Sequence, residues 1–93
     1  MSYTIIIKKS VEKELKKLPN HVQKRIENKI EQLKTQPIPQ GSTQLTNFEM
    51  EGLDYEQLYR LRVGDYRMIY AVEHDIITIT VVKVKHRREA YRT

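Results

Sequence analysis

Three arginines, Arg60, Arg62 and Arg67, alternate with apolar and aromatic residues on either side of Gly64-Asp65. This is the pattern of two strands joined by a tight hairpin. With Gly64-Asp65 as a two-residue loop, Val63 faces Tyr66, Arg62 faces Arg67 and Leu61 faces Met68. Tyr59, Leu61, Val63, Tyr66, Met68 and Tyr70 then share one sheet face, the core side, and the three arginines share the other. Like charges directly opposite each other destabilise a strand pair, so this face is better served with an anion on it. Guanidinium forks match phosphate oxygens in two-point contacts. The hairpin reads as the floor of a phosphate site.

A second basic group closes the chain: Lys83, Lys85, His86, Arg87, Arg88 and Arg92 against the single acid Glu89. His86 is the only histidine inside a basic cluster. That makes it the candidate proton acceptor of the cluster. The plain alternative is that His86 merely ends a strand at the surface. Lys83, Lys85 and Arg88 suit tracking of a nucleic-acid backbone, or are an ordinary solvated face. Arg62 and Arg67 have a structural alternative too, pairing with Glu49, Glu51, Asp54 or Glu56, which ranks Arg67 and Arg87 above Arg62 as site residues. His21 and His74 read as surface residues. The dispersed histidines and the absence of an HExxH motif or a cysteine cluster point to no metal and no cofactor.

The elements that must position these residues follow from the apolar spacing. Residues 3–8 are short and β-branched, hence a strand. Ser10 is placed to cap a helix marked by Val11, Leu15 and Leu18, and Pro19-Asn20 stops it. Asn20 with Gln23 is placed to cap a second helix with Val22, Ile26, Ile30 and Leu33 on one stripe, ending before Pro37. Residues 36–56 form a long connection with Leu45, Phe48, Met50 and Leu53 as anchors and room for a short strand or turn. After the central hairpin, a two-residue loop at His74-Asp75 leads into a last strand, in which Ile77, Ile79 and Val81 continue the core face while Thr78, Thr80 and Val82 flank the arginines. The order β-α-α-β-β-β predicts an α+β domain, a mostly antiparallel sheet with a helix hairpin packed on one face.

Ninety-three residues suit one domain, 1–93, able to bury a useful core without staples. With no cysteine there is no disulfide framework, which fits a reducing cytoplasm. No long apolar run opens the chain, so secretion and membrane insertion are not expected. Seventeen Lys and Arg against twelve Asp and Glu give a net charge of +5, which favours a polyanion or an acidic protein as partner.

Tyr59-Arg60-Leu61-Arg62-Val63-Gly64-Asp65-Tyr66-Arg67 resembles the central hairpin of the RelE/ParE toxin superfamily, and the closing Val84-Lys85-His86-Arg87-Arg88-Glu89-Ala90-Tyr91 resembles its C-terminal motif. With the element order, the resemblance covers essentially the whole chain. It implies a toxin of a type II toxin–antitoxin pair, with a cognate antitoxin as partner. RelE-like members cleave messenger RNA on the ribosome, and ParE-like members poison DNA gyrase. The RelE catalytic set falls here on Arg60, Arg67, Arg87 and, across a short gap, Tyr91. RelE itself has lysines where this chain has Leu58 and Arg60, and arginine is a poor proton acceptor. That strand therefore lacks a general base.

Metal-free RNA cleavage needs removal of the 2′-hydroxyl proton, stabilisation of the phosphorane and protonation of the leaving 5′-oxygen. Arginines suit the second role, and His86 is the candidate for the first. Tyr91 can stack on a base or move a proton; a C-terminal tyrosine also commonly tucks against the sheet. Three functions stay open: an mRNA endoribonuclease, a gyrase inhibitor that cuts nothing, and a decayed toxin that only binds its antitoxin.

Overall fold

The computed structural model describes residues 2–45 and 57–90, without the side chains of 89 and 90. Phe48, Met50, Leu53, Tyr91 and Arg92 lie outside the described residues. The chain runs through β1 (Thr4–Ile7), α1 (Lys9–Lys16), α2 (Asn20–Leu33), β2 (Thr43–Leu45), β3 (Leu58–Val63), β4 (Tyr66–Glu73), β5 (Thr78–His86) and a last turn of helix, α3 (Arg87–Ala90). Among the described residues, the expected order gains the short strand β2 in the long connection, a 3-10 turn after β4 and α3 after β5.

The five strands lie in the order β1-β5-β4-β3-β2. β1 runs parallel to β5 and every other pairing is antiparallel. Apolar stripes on the two helices decide which sheet face is covered. Val11 and Leu15 of α1, with Ile26, Ile30 and Leu33 of α2, pack on Tyr59, Leu61, Val63, Met68, Tyr70, Val72, Ile79 and Val81. Each such side chain, fully buried, stabilises by about 1.5–3 kcal/mol, so this seam holds the layers together. Tyr70 also ties down the long connection, its hydroxyl donating to the Pro37 carbonyl at 2.9 Å.

Both helices start differently from the sequence expectation. Only Lys8 separates β1 from α1, so Lys8 takes the cap position and its carbonyl accepts from the Val11 and Glu12 amides at 2.9 and 3.0 Å. Ser10 sits inside the first turn. At α2 the cap position falls on Pro19, whose carbonyl accepts from the Val22 and Gln23 amides. Gln23 does not close a capping box; its side-chain amide donates to the Leu18 carbonyl at 2.8 Å.

The central hairpin has the expected two-residue loop, with Val63 opposite Tyr66 and Arg62 opposite Arg67. The second turn is longer than expected. His74–Ile76 form a 3-10 turn and Ile77 follows at φ 49°, so Glu73 pairs with Thr78. Ile77 is thus a turn residue and not part of the core face. A β-branched side chain in the left-handed region is strained by about 1–3 kcal/mol. The turn is held by neighbours: the Thr4 amide donates to the Ile77 carbonyl at 2.9 Å, and the Tyr3 hydroxyl lies 2.7 Å from His74 Nδ1.

β5 then slips once. Tyr70 pairs with Val81 but Ile69 pairs with Lys83, which leaves Val82 as the extra residue of a β-bulge. Beyond a bulge the alternation of faces changes phase. Val84 turns into the core with the helices, and Lys83 and Lys85 turn to the arginine face.

Candidate functional site

The face turned away from the helices is divided. One end carries a small apolar cluster of Leu58, Ala71 and Val82, bordered by Leu45 and Ile69. The other end is cationic. Arg62 on β3 stands opposite Arg67 on β4, and Arg67 stands opposite Lys85 on β5, so three cations share one rung across three strands. Directly opposite side chains have Cβ atoms about 4.5–5.5 Å apart. On the next rung lie Thr43, Arg60, Ile69 and Lys83. A cavity of about 180 Å³ opens here, lined by Gly41, Thr43, Arg60, Arg62 and Arg67.

Two sources of local structure build this arrangement. The tight Gly64-Asp65 turn puts Arg62 opposite Arg67, because a two-residue loop pairs the residues flanking it. The bulge at Val82 delivers the lysines. Without it, alternation from Ile79 and Val81 would have carried Lys83 and Lys85 into the helix layer. Loss of part of its hydration pulls the Lys83 ammonium below the ordinary lysine range, although the residue as a whole is exposed, and the charge of Lys85 and its hydrogen bond add to the effect. A lysine shifted downward releases its proton more readily than a free one. The sequence reading gave Lys83 a backbone-tracking role and missed this. The signal was present in the break of alternation, Thr78-Ile79-Thr80-Val81 followed by Val82-Lys83-Val84-Lys85.

His86 is not brought together with Arg67. It stands opposite Tyr66, on the helix side, with the two rings edge-to-face at a centroid distance of 5.1 Å. Its Nδ1 accepts the Arg88 amide at 3.2 Å, which leaves the neutral ring's proton on Nε2. The backbone of Arg87 is tied to the hairpin tip: its amide donates to the Asp65 carbonyl at 2.7 Å and fastens α3 there. Arg87 and Arg88 are exposed. Arg62 makes no ion pair with any described residue, while Tyr91 and the acids Glu49, Glu51, Asp54 and Glu56 lie outside the described residues. Among the described residues no three His, Asp or Glu side chains are grouped to hold a metal, and no helix is long and apolar enough to cross a membrane.

A rung of cations with a cavity beside it can hold a phosphate and spread the charge of a transition state over several donors. Comparison with known proteins places the chain. The sequence profile of the family described as "ParE toxin of type II toxin-antitoxin system, parDE" matches residues 5–91. The chain is 36% identical over 92 residues to RelE1 of Methanocaldococcus jannaschii, covering 99% of this chain and 98% of that one. It is 33% identical over 90 residues to toxin RelE3 of the same archaeon, covering 94% and 93%. A chain of the archaeal RelE–RelB complex from Pyrococcus horikoshii OT3 superposes with a TM-score of 0.79 at 34% identity, covering 94% of this chain and 97% of that one. The α+β layers, the central arginine hairpin and these matches together make the chain a member of the RelE/ParE superfamily of type II toxin–antitoxin toxins.

Proposed function

We propose that this toxin is a metal-independent endoribonuclease that cuts messenger RNA on the ribosome, in the cytoplasm, and that a cognate antitoxin neutralises it. The single observation that carries the reading is the rung Arg62–Arg67–Lys85 beside the cavity lined by Arg60. The RelE names of its relatives support the branch, and the RelE–RelB complexes from Pyrococcus horikoshii and Methanococcus jannaschii support an antitoxin as partner.

In this reading a bridging phosphate sits against Arg67, with Arg62 and Arg60 on its remaining oxygens. Lys83, in its uncharged form, takes the 2′-hydroxyl proton as the 2′-oxygen bonds to phosphorus. Lys85 gives a proton to the 5′-oxygen as the P–O5′ bond breaks. Arg87 steadies the departing strand from the hairpin tip. The role first assigned to His86 thus passes to a lysine, because the lysine shares the arginine face.

A ParE-like gyrase inhibitor is the second reading. It is favoured by the ParE description of the matching family and by β3, where Leu58 is buried and Arg60 cannot accept a proton. Primer extension on a reporter transcript after a pulse of expression, run beside plasmid supercoiling, separates the two. New 5′ ends within codons, with unchanged supercoiling, support the nuclease. Intact transcripts with gyrase-linked DNA breaks overturn it in favour of the inhibitor.

A further inference from the structure

Behind the hairpin tip lies a second cationic cavity, of about 230 Å³, between α2 and β3, and Arg25, Lys29 and Arg62 line it together with Asn28 and Gln32. Arg62 also lines the cavity beside Arg67, so one guanidinium borders both. We propose that this groove is a second phosphate subsite for RNA, taking the strand that leaves the Arg67 face and turns over the hairpin tip onto α2. The inference rests on the nuclease reading and extends it to a stretch of substrate beyond the reacting phosphate.

Charge is the first argument. Arg25 and Lys29 are one helical turn apart, where like charges destabilise a helix, and Arg62 adds a third cation from the sheet. Two lysines at the helix ends are paired, Lys17 with Glu14 and Lys34 with Glu31 at 3.0 Å. Arg25, Lys29 and Arg62 form no ion pair with any described residue. Asn28 supplies a neutral donor beside them, while Gln32 accepts from Lys29 at 3.4 Å and donates its own amide to Gln36 at 3.1 Å.

Backbone geometry is the second. Arg25 is not a loose surface arginine, because its guanidinium lies over Gly64, with Nη1 only 3.0 Å from where a Cβ would stand. The hairpin residue that must adopt φ +61° is thus also the one whose missing side chain seats Arg25 at the tip. A turn that fixes Arg62 opposite Arg67 fixes Arg25 beside Arg62.

The test is the salt dependence of binding to a single-stranded RNA of about a dozen nucleotides, with Arg25→Gln/Lys29→Gln compared against the control Lys13→Gln/Lys16→Gln, which removes the same charge from exposed positions of α1. Each single-strand phosphate neutralised contributes about 0.7 to the slope of log K against log salt. The groove variant should lose about 1.4 of slope and about tenfold or more in affinity near 0.1 M salt. The control should keep most of both. Equal losses in the two variants, or a parental slope in the groove variant, overturn the subsite and leave the nuclease reading standing. A parent that binds no such RNA overturns the subsite, and the nuclease reading is then judged by the primer-extension result alone.

Discussion

Lys85 stands directly opposite Arg67, and it does so only because Val82 is an extra residue in β5. The bulge converts a lysine that alternation would have buried into the third cation of a rung, beside a pair already set by the hairpin. Like charges directly opposite one another cost stability, and an anion on that rung offsets the cost.

Arg62→Gln follows from this cost. Removing one of two arginines that face each other should leave the domain as stable as the parent or more stable by up to about 0.5–1 kcal/mol, while RNA affinity falls. Thermal melting with and without RNA measures both. A clear loss of stability in the free protein would mean that Arg62 is held by a structural partner.

The proton acceptor can be assigned by exchange. Lys83→Gln should slow cleavage by about two to four orders of magnitude, with RNA binding reduced far less. His86→Gln should keep the rate within a few-fold, since its ring lies on the helix side against Tyr66. Because Lys83 is shifted below the ordinary lysine value, its neutral fraction grows at lower pH than for a free lysine. The parental rate should therefore rise with pH and level off below 10.5, the value for an unperturbed lysine. The opposite ranking of the two variants would return the role to His86.

Gly64→Ala tests the hairpin tip. The residue has φ +61° and Arg25 packed over it, so alanine is both strained and crowded, at about 1–2 kcal/mol. For a domain of this size that is a fall in Tm of about 4–15 °C. A melting temperature equal to the parent's would show that the turn adopts another conformation.

Tyr70 gives the fold an alkaline limit. Burial pushes its phenol up to about 12, opposed by a hydrogen bond with Ser42. Below pH 10 the group is protonated whether folded or unfolded. Above it the unfolded chain releases the proton while the folded chain retains it, so stability falls between pH 10 and 12 by up to about 3 kcal/mol. Tyr70→Phe should remove that part of the decline, at about 1 kcal/mol for the lost bond to the Pro37 carbonyl near neutrality. Denaturant titrations of both proteins at pH 8 and 11 decide it, and parallel losses would exclude Tyr70 as the cause.

The layers, the helix stripes and the arginine face were legible because each rests on short-range periodicity: Ile26 to Leu33 at helical spacing, Tyr59 to Met68 at spacing two around a glycine turn. What escaped were features set by tertiary context. The four-residue turn at 74–77 needs Ile77 in the left-handed region, a conformation its own chemistry disfavours and its neighbours enforce. The bulge is a one-residue change of phase within a run of valines, where Val81 and Val82 suit either face equally well. Without the bulge in view, the sequence reading put His86 within reach of Arg67, whereas His86 stands opposite Tyr66. At the helix starts, a connection as short as Lys8 left Ser10 no place to cap.

The most direct measurement is single-turnover cleavage of messenger RNA on programmed ribosomes by the parent and by Arg67→Ala. The account predicts cutting by the parent and a loss of about a hundredfold or more in the variant, with melting temperatures within a few degrees of each other. No cleavage by a folded parent, or cleavage by Arg67→Ala at the parental rate, would contradict it.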